Sequence, residues 1–233
     1  MKIGIIGAME EELTLIKNKL LNPSLHEISQ QHFWTGTLHG MDVVITKCGI
    51  GKVNTAIGTT LLNHCFNPNY VINTGTAGGL SSTLNVGDII IPSEICYYDV
   101  DLTVFGYKIG QMAQMPPVYF PDANLVKIAE KCFDQQVQNK ITRGLLVSGD
   151  SFVSTKQQIA YIKDNFENAI AIEMEACAIA QVCYALKVPF IIIRCISDIV
   201  GNNNKINHEQ FLHIAADKSA KLVLSMLEKT YSS

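Results

Sequence analysis

The chain has no surplus of positive charge and no run of basic residues: 18 Lys and Arg face 21 Asp and Glu, for a formal net charge of −3. That argues against holding a nucleic-acid backbone by charge, and no nucleic-acid partner is expected. There is no Cys-x-x-Cys pair either. The seven cysteines (Cys48, Cys65, Cys96, Cys132, Cys177, Cys183 and Cys195) are scattered, and several lie in apolar stretches where a free thiol acts as a small hydrophobe. Such usage fits a reducing compartment. No apolar run is long enough to cross a bilayer, and Lys2–Ile6 enters a strand pattern at once rather than a leader peptide. A cytoplasmic protein without membrane contact is expected. The histidines show no metal-ligand spacing, so neither metal nor cofactor is expected. Without a Pro/Gly/Ser linker, a low-complexity segment or a repeat, residues 1–233 read as one domain, and 48% apolar content can fill one large core.

What the chain does have is an alternation of short apolar strands with helical patterns. At its most informative junction, Ile170–Ile172 reads as a strand and Ala176–Leu186 as a helix, with Glu173 and Glu175 between them around Met174. In α/β folds that junction lies at the carboxyl edge of the sheet, where ligands bind. A glutamate in a first helical turn can simply complement the helix dipole. Two, flanked by apolar residues, imply partial burial at a desolvation cost that one dipole does not explain.

Elsewhere, residues 2–8 read as a buried strand, and 9–21 as a helix that places Glu10, Glu11 and Glu12 in its first turn. Residues 32–38 and 41–47 read as a hairpin through His39-Gly40, and a turn at 48–54 opens a helix to about Cys65. That turn is no phosphate loop: Thr46 and Val53 stand where Gly and Ser/Thr are required. Residues 70–73 read as a strand followed by a Gly-rich turn, Thr74-Gly75-Thr76-Ala77-Gly78-Gly79-Leu80, in which backbone N–H groups can approach a ligand. Residues 96–120 read as a long loop. A helix at 122–136 and a strand at 141–148 follow, ending in Gly149-Asp150-Ser151-Phe152-Val153. The most hydrophobic strand, 188–196, carries Arg194 and ends in Ser197-Asp198. A charge is rarely left unpaired in such a strand, so a carboxylate partner is expected, Glu173 foremost. A helix at 208–229 closes the chain.

Several of these segments, in order, resemble the 5'-methylthioadenosine/S-adenosylhomocysteine nucleosidases, within the wider family of purine nucleoside phosphorylases and nucleosidases. Gly7-Ala8-Met9-Glu10-Glu11-Glu12 reproduces the family motif whose last glutamate activates water. Residues 74–79 match Thr-Gly-Ser-Ala-Gly-Gly, with Thr76 for the usual Ser. Gly149-Asp150, then Phe152 and Val153, match the segment that stacks on adenine and bonds it through the backbone. Glu173-Met174-Glu175-Ala176 matches the ribose-binding segment, and Arg194-Cys195-Ile196-Ser197-Asp198 the Arg-x-Ile-Ser-Asp whose Asp protonates purine N7. Asp99, Asp101, Leu102, Val104 and Phe105 match the family's dimer segment, although Ala113 stands where the family often carries proline.

The resemblance implies a three-layer α/β/α fold with a central mixed, twisted sheet, nucleoside phosphorylase-like. It also implies hydrolysis of the N-glycosidic bond of 5'-methylthioadenosine and S-adenosylhomocysteine. Asp198 is then the acid and Glu12 the group acting on water. Glu175 holds the ribose hydroxyls, with Met174 against the sugar. Met9, Ala77, Gly78, Glu173, Arg194 and Ser197 join Thr76, Phe152 and Val153 at the substrate. Phe211 faces the 5' group, and Leu102 and Phe105 close the pocket of a homodimer partner. Adenine leaves poorly as an anion, so its ring must be protonated, and the ribose left behind is oxocarbenium-like and favours a nearby carboxylate. A phosphorylase would need cations or an amide nest for phosphate, where this chain offers three glutamates after its first strand. A nucleoside-binding sensor without turnover is the remaining alternative, and it has no use for two opposed carboxylates.

Overall fold

The computed structural model describes residues 1–133, 141–201 and 204–231. Strand β1 (Lys2–Gly7) leads through Met9 into helix α1 (Glu10–Lys17). The helix is shorter than the apolar spacing over 9–21 suggests. After it comes a strand the sequence pattern did not show, β2 (Leu21–Ile28), antiparallel to β3 (Gln31–Leu38) at the sheet edge. β2 is exposed and polar, and Pro23 sits at its register shift between Leu21 and Ser24, a position a strand tolerates only at an edge or bulge. β3 turns into β4 (Met41–Lys47) at His39-Gly40, both with positive φ, as a tight hairpin requires.

Helix α2 (Lys52–Phe66) then feeds β5 (Tyr70–Gly79), the strand about which the sheet is built. The expected turn at 74–79 is instead its second half. β5 runs parallel to β1 and, along nearly its whole length, to the last strand. Its glycines belong to a strand because other groups need the space above them. A Cβ on Gly75 would lie 2.6 Å from Glu12 Oε1 and 3.3 Å from an Arg194 guanidinium nitrogen.

Two short strands, β6 (Ile89–Ile90) and β7 (Glu94–Tyr97), precede the irregular segment that contains a 3-10 turn at Thr103–Phe105. β7 therefore takes the first residues of the segment expected to be a loop. Helix α3 (Ala123–Phe133) follows, and its expected continuation to Gln136 lies outside the described residues. The strand expected over 141–148 is two, β8 (Ile141–Thr142) and β9 (Leu145–Ser148). Helix α4 (Lys156–Asn165) was not legible from apolar spacing. Thr155 nonetheless caps it, accepting the Gln158 N–H in a capping box. β10 (Ala169–Glu173), α5 (Ala176–Leu186), β11 (Phe190–Ile199) and α6 (Asn204–Tyr231) complete the chain.

Among the described residues eleven strands form one mixed sheet, β2-β3-β4-β1-β5-β10-β9-β7, with β11 also on β5 and carrying β6, which in turn pairs β8. Along the central strands alternate residues face opposite layers. Ile3, Ile5, Ile72, Ile191 and Ile193 pack with α1, α3 and α6, while Ile6, Val71, Ile192 and Ile196 pack with α2 and α5. Burial on both faces explains why these strands read as continuous apolar runs. The layering is the three-layer, nucleoside phosphorylase-like arrangement expected. All seven cysteines are free, and only Cys65 is exposed.

Candidate active site

β1, β5, β9, β10 and β11 all deliver their carboxyl ends to one place. A cavity of about 120 Å³ opens there, lined from β1–α1 by Ala8, Met9 and Glu12 and from β5 by Thr76, Ala77 and Gly78. The segment after β9 adds Ser151, Phe152 and Val153, the β10–α5 junction adds Glu173, Met174 and Glu175, and β11 adds Ser197 and Asp198. The sequence brought none of these together by proximity along the chain. The parallel pairing of β5 with β1 and β11 does so.

Glu12 is 4% exposed and held at both oxygens. Oε2 accepts the backbone N–H of Ala8 (2.8 Å) and Met9 (3.2 Å), and Oε1 that of Thr76 (3.1 Å). Burial pushes its carboxyl above the usual range, opposed by the Arg194 charge and these three donors. The first-turn cluster thus divides: Glu10 pairs with Lys17 at the surface, and Glu12 alone turns inward.

The two glutamates at the β10–α5 junction also divide. Glu173 is structural. Its Oε2 accepts the N–H groups of Glu175 (3.0 Å) and Ala176 (2.8 Å) at the start of α5, and Ser148 donates to its other oxygen. Arg194, 2% exposed, donates to the same Oε2 at 2.7 Å. The partner expected for Arg194 is the partner found. Glu175 instead faces the cavity and accepts the Gly51 N–H at 2.9 Å. Gly51 has φ +92°, backbone open to glycine, and this is what the Gly turn before α2 contributes. Burial, followed by the charge of Glu173, pushes Glu175 up to about 8.

Asp198, 2% exposed, accepts the Ser197 hydroxyl at 2.7 Å and pairs in register with Gly78. Glu12 and Asp198 are therefore referenced to the same strand two residues apart, Glu12 through Thr76 and Asp198 through Gly78. Phe152 is 44% exposed, and Val153 lies buried behind it.

Four residues expected at the substrate are not on the cavity wall. Arg194 is paired with Glu173 and is not among the lining side chains. Phe211 is exposed on α6, and His208, a turn earlier, takes the wall position. Leu102 packs against the core beside α5, and Phe105 is 75% exposed, away from this cavity. Ile50, Ser151, Ile172, Val200 and His208 line the wall without having been expected there. No pattern marks them, except that Ile50 and Ser151 sit beside the Gly turns. Among the described residues the wall carries no Lys or Arg, and no group of His, Cys, Asp and Glu could hold a metal ion. None of their helices is long and apolar enough to cross a membrane.

The family model of the phosphorylase superfamily matches residues 2–228, so the chain is a member of that class of α/β proteins. A 5'-methylthioadenosine/S-adenosylhomocysteine nucleosidase of Halalkalibacterium halodurans is 51% identical over 227 residues, 97% of each chain. One from Psychromonas ingrahamii is 50% identical over 223 residues, 96% of each. The crystal structure of the nucleosidase of Colwellia psychrerythraea 34H in complex with adenine superposes with a TM-score of 0.95 at 46% identity, covering 97% of this chain and 94% of that one. The chain belongs to the 5'-methylthioadenosine/S-adenosylhomocysteine nucleosidase family.

Proposed function

We propose that this single-domain protein hydrolyses the N-glycosidic bond of 5'-methylthioadenosine and S-adenosylhomocysteine, releasing adenine and the 5'-thio-substituted ribose. The observation that carries the reading is the convergence of Glu12, Glu175 and Asp198 on one cavity whose wall, among the described residues, holds no Lys or Arg. Phosphate would meet three carboxylates there and no fixed cation, so water is the nucleophile.

In this reading adenine lies against Phe152, a ring face that suits a purine, with the Val153 backbone at its edge. Asp198 gives a proton to N7 as the bond from C1' to the base breaks, so adenine departs neutral. The ribose becomes oxocarbenium-like. Glu175 lies beside that charge, and the negative charge on its oxygens is worth more there in the transition state than before it, so its hold on the sugar tightens as the bond breaks. It accepts the 2'- and 3'-hydroxyls, and Met174 packs on the sugar. Glu12, anchored by three backbone donors, takes a proton from water as its oxygen bonds to C1'. The same reading makes the protein a cytoplasmic homodimer. The exposed Val104 and Phe105, at 85% and 75%, fit a surface that a partner covers, with Leu102 and Phe105 at the partner's pocket.

Asp198→Asn is expected to lower kcat by about 10²–10⁴-fold while substrate still binds, and Glu12→Gln to do the same. Wild-type turnover in either variant removes that residue from its role. Tight nucleoside binding without turnover in the unmodified protein would favour the sensor.

A further inference from the structure

His208 lies on the cavity wall, and its position makes it more than a wall residue. Its Nδ1 is 3.0 Å from the Ser197 hydroxyl and 3.6 Å from Asp198 Oδ1, and Ser197 itself donates to that Oδ1 at 2.7 Å. The Asp198 side chain is 3% exposed, against 24% for His208, so the imidazole is the member of the chain that meets solvent. Its ring meets the Phe152 ring in a T-shaped contact, centroids 5.8 Å apart, while Nδ1 faces Ser197.

We propose that His208 is a proton-storing positioning residue for Asp198, the imidazole, the Ser197 hydroxyl and the carboxyl sharing one proton. The inference rests on the reading of Asp198 as the acid. The imidazolium gives its Nδ1 proton to Ser197 Oγ as that hydroxyl's own proton moves to Asp198 Oδ1. The ring is left neutral, the hydroxyl is restored and the carboxyl becomes an acid. Asp198 then protonates the departing purine. A proton from solvent recharges the imidazole, and the proton that Glu12 took from water returns to solvent, so the cycle balances.

The consequence is a wider working range. An isolated carboxyl group is ordinarily ionised above about pH 4, whereas an imidazole exchanges its proton near neutrality. A proton on the imidazole lies one hydroxyl away from Asp198, a reservoir that a carboxyl alone in the cavity lacks. The other ionisable groups on the cavity wall are Glu12 from α1 and Glu173 and Glu175 from the β10–α5 junction. Asp150 precedes the Phe152 segment, and Lys205 and Glu209 flank His208 on α6. Of the carboxyl groups on the wall, Asp198 is the one beside the imidazole, at 3.6 Å, and Glu173 is paired with Arg194.

The test is the pH dependence of kcat/KM for adenine release in His208→Gln, which keeps a hydrogen-bonding side chain but stores no proton, and in His208→Phe, which keeps neither. Adenine binding verifies that each variant retains its site. The alkaline limb is expected to move down by about one pH unit or more in both, so that the ratio of variant to wild-type activity falls about tenfold between roughly pH 5 and 8. A limb that stays in place, or a loss by one constant factor at every pH, overturns the proposal and leaves His208 a packing residue. Failure of the underlying reading is distinguishable, because it appears as activity in Asp198→Asn rather than as an unmoved limb.

Discussion

Replacing Arg194 by Met removes the one cation beside three carboxylates while keeping most of the buried volume. Arg194 and Glu173 are 2% and 8% exposed, with donor and acceptor 2.7 Å apart, so water can screen neither once its partner is gone. Two unit charges about 4 Å apart interact by ~4 kcal/mol at an effective dielectric of ~20. Breaking a buried pair from one side costs about 3–5 kcal/mol. Glu12 and Glu175 also feel this guanidinium, which holds both carboxyl groups lower than burial alone would. Without it their proton affinity rises further. The folded variant therefore binds protons that the unfolded chain has released, and its stability falls as pH rises. Urea unfolding should show a loss of about 3–5 kcal/mol near pH 8 and a clearly smaller loss near pH 5, where protonation relieves the uncompensated charge. In the double variant with Glu173→Gln the loss should be smaller than in Arg194→Met alone. A loss below about 1 kcal/mol, or one equal at both pH values, would refute the electrostatic argument and leave Arg194 a space-filling side chain.

Glu175→Gln should flatten the pH dependence of stability. In the wild type the folded chain keeps this proton up to about pH 8, against an ordinary 4.5, so its stabilising effect is complete below the lower value and lost as pH rises through the upper. The variant should gain on the wild type between those limits by an amount on the order of a few kcal/mol, while losing ribose binding; parallel unfolding curves would contradict this. Gly75→Ala should displace Glu12, because the new methyl would lie 2.6 Å from Oε1. Steady-state kinetics should then show kcat down by about 10²-fold with the fold retained, and unchanged kcat would mean that Glu12 need not be held in place.

The parts of the fold legible in the sequence were those where periodicity and burial agree. β1 and most of β11 are apolar because both faces are covered, and α5 follows its glutamates as spaced. β2 was hidden because an exposed edge strand carries no buried face, and Leu20 lent its apolar spacing to the preceding helix. Gly75, Gly78 and Gly79 read as a turn because their reason for being small, the close approach of Glu12, Asp198 and Ile199, comes from distant parts of the chain. α4 was detectable from its cap, Thr155 with Gln158, rather than from its weakly apolar face. At the site, most residues carried by contiguous motifs reached the cavity, Arg194, Leu102 and Phe105 excepted, while the single α6 contact was expected at Phe211 and found at His208. One helical turn separates them, and only the packing of α6 on β11 and β5 selects between them.

Water as the nucleophile separates the proposed hydrolysis from phosphorolysis. It is tested most directly by adenine release from 5'-methylthioadenosine with and without phosphate, with the sugar product identified. Equal rates in both conditions and free 5-methylthioribose are predicted. A phosphate requirement with a sugar 1-phosphate as product would contradict the account and leave Glu12 without its role.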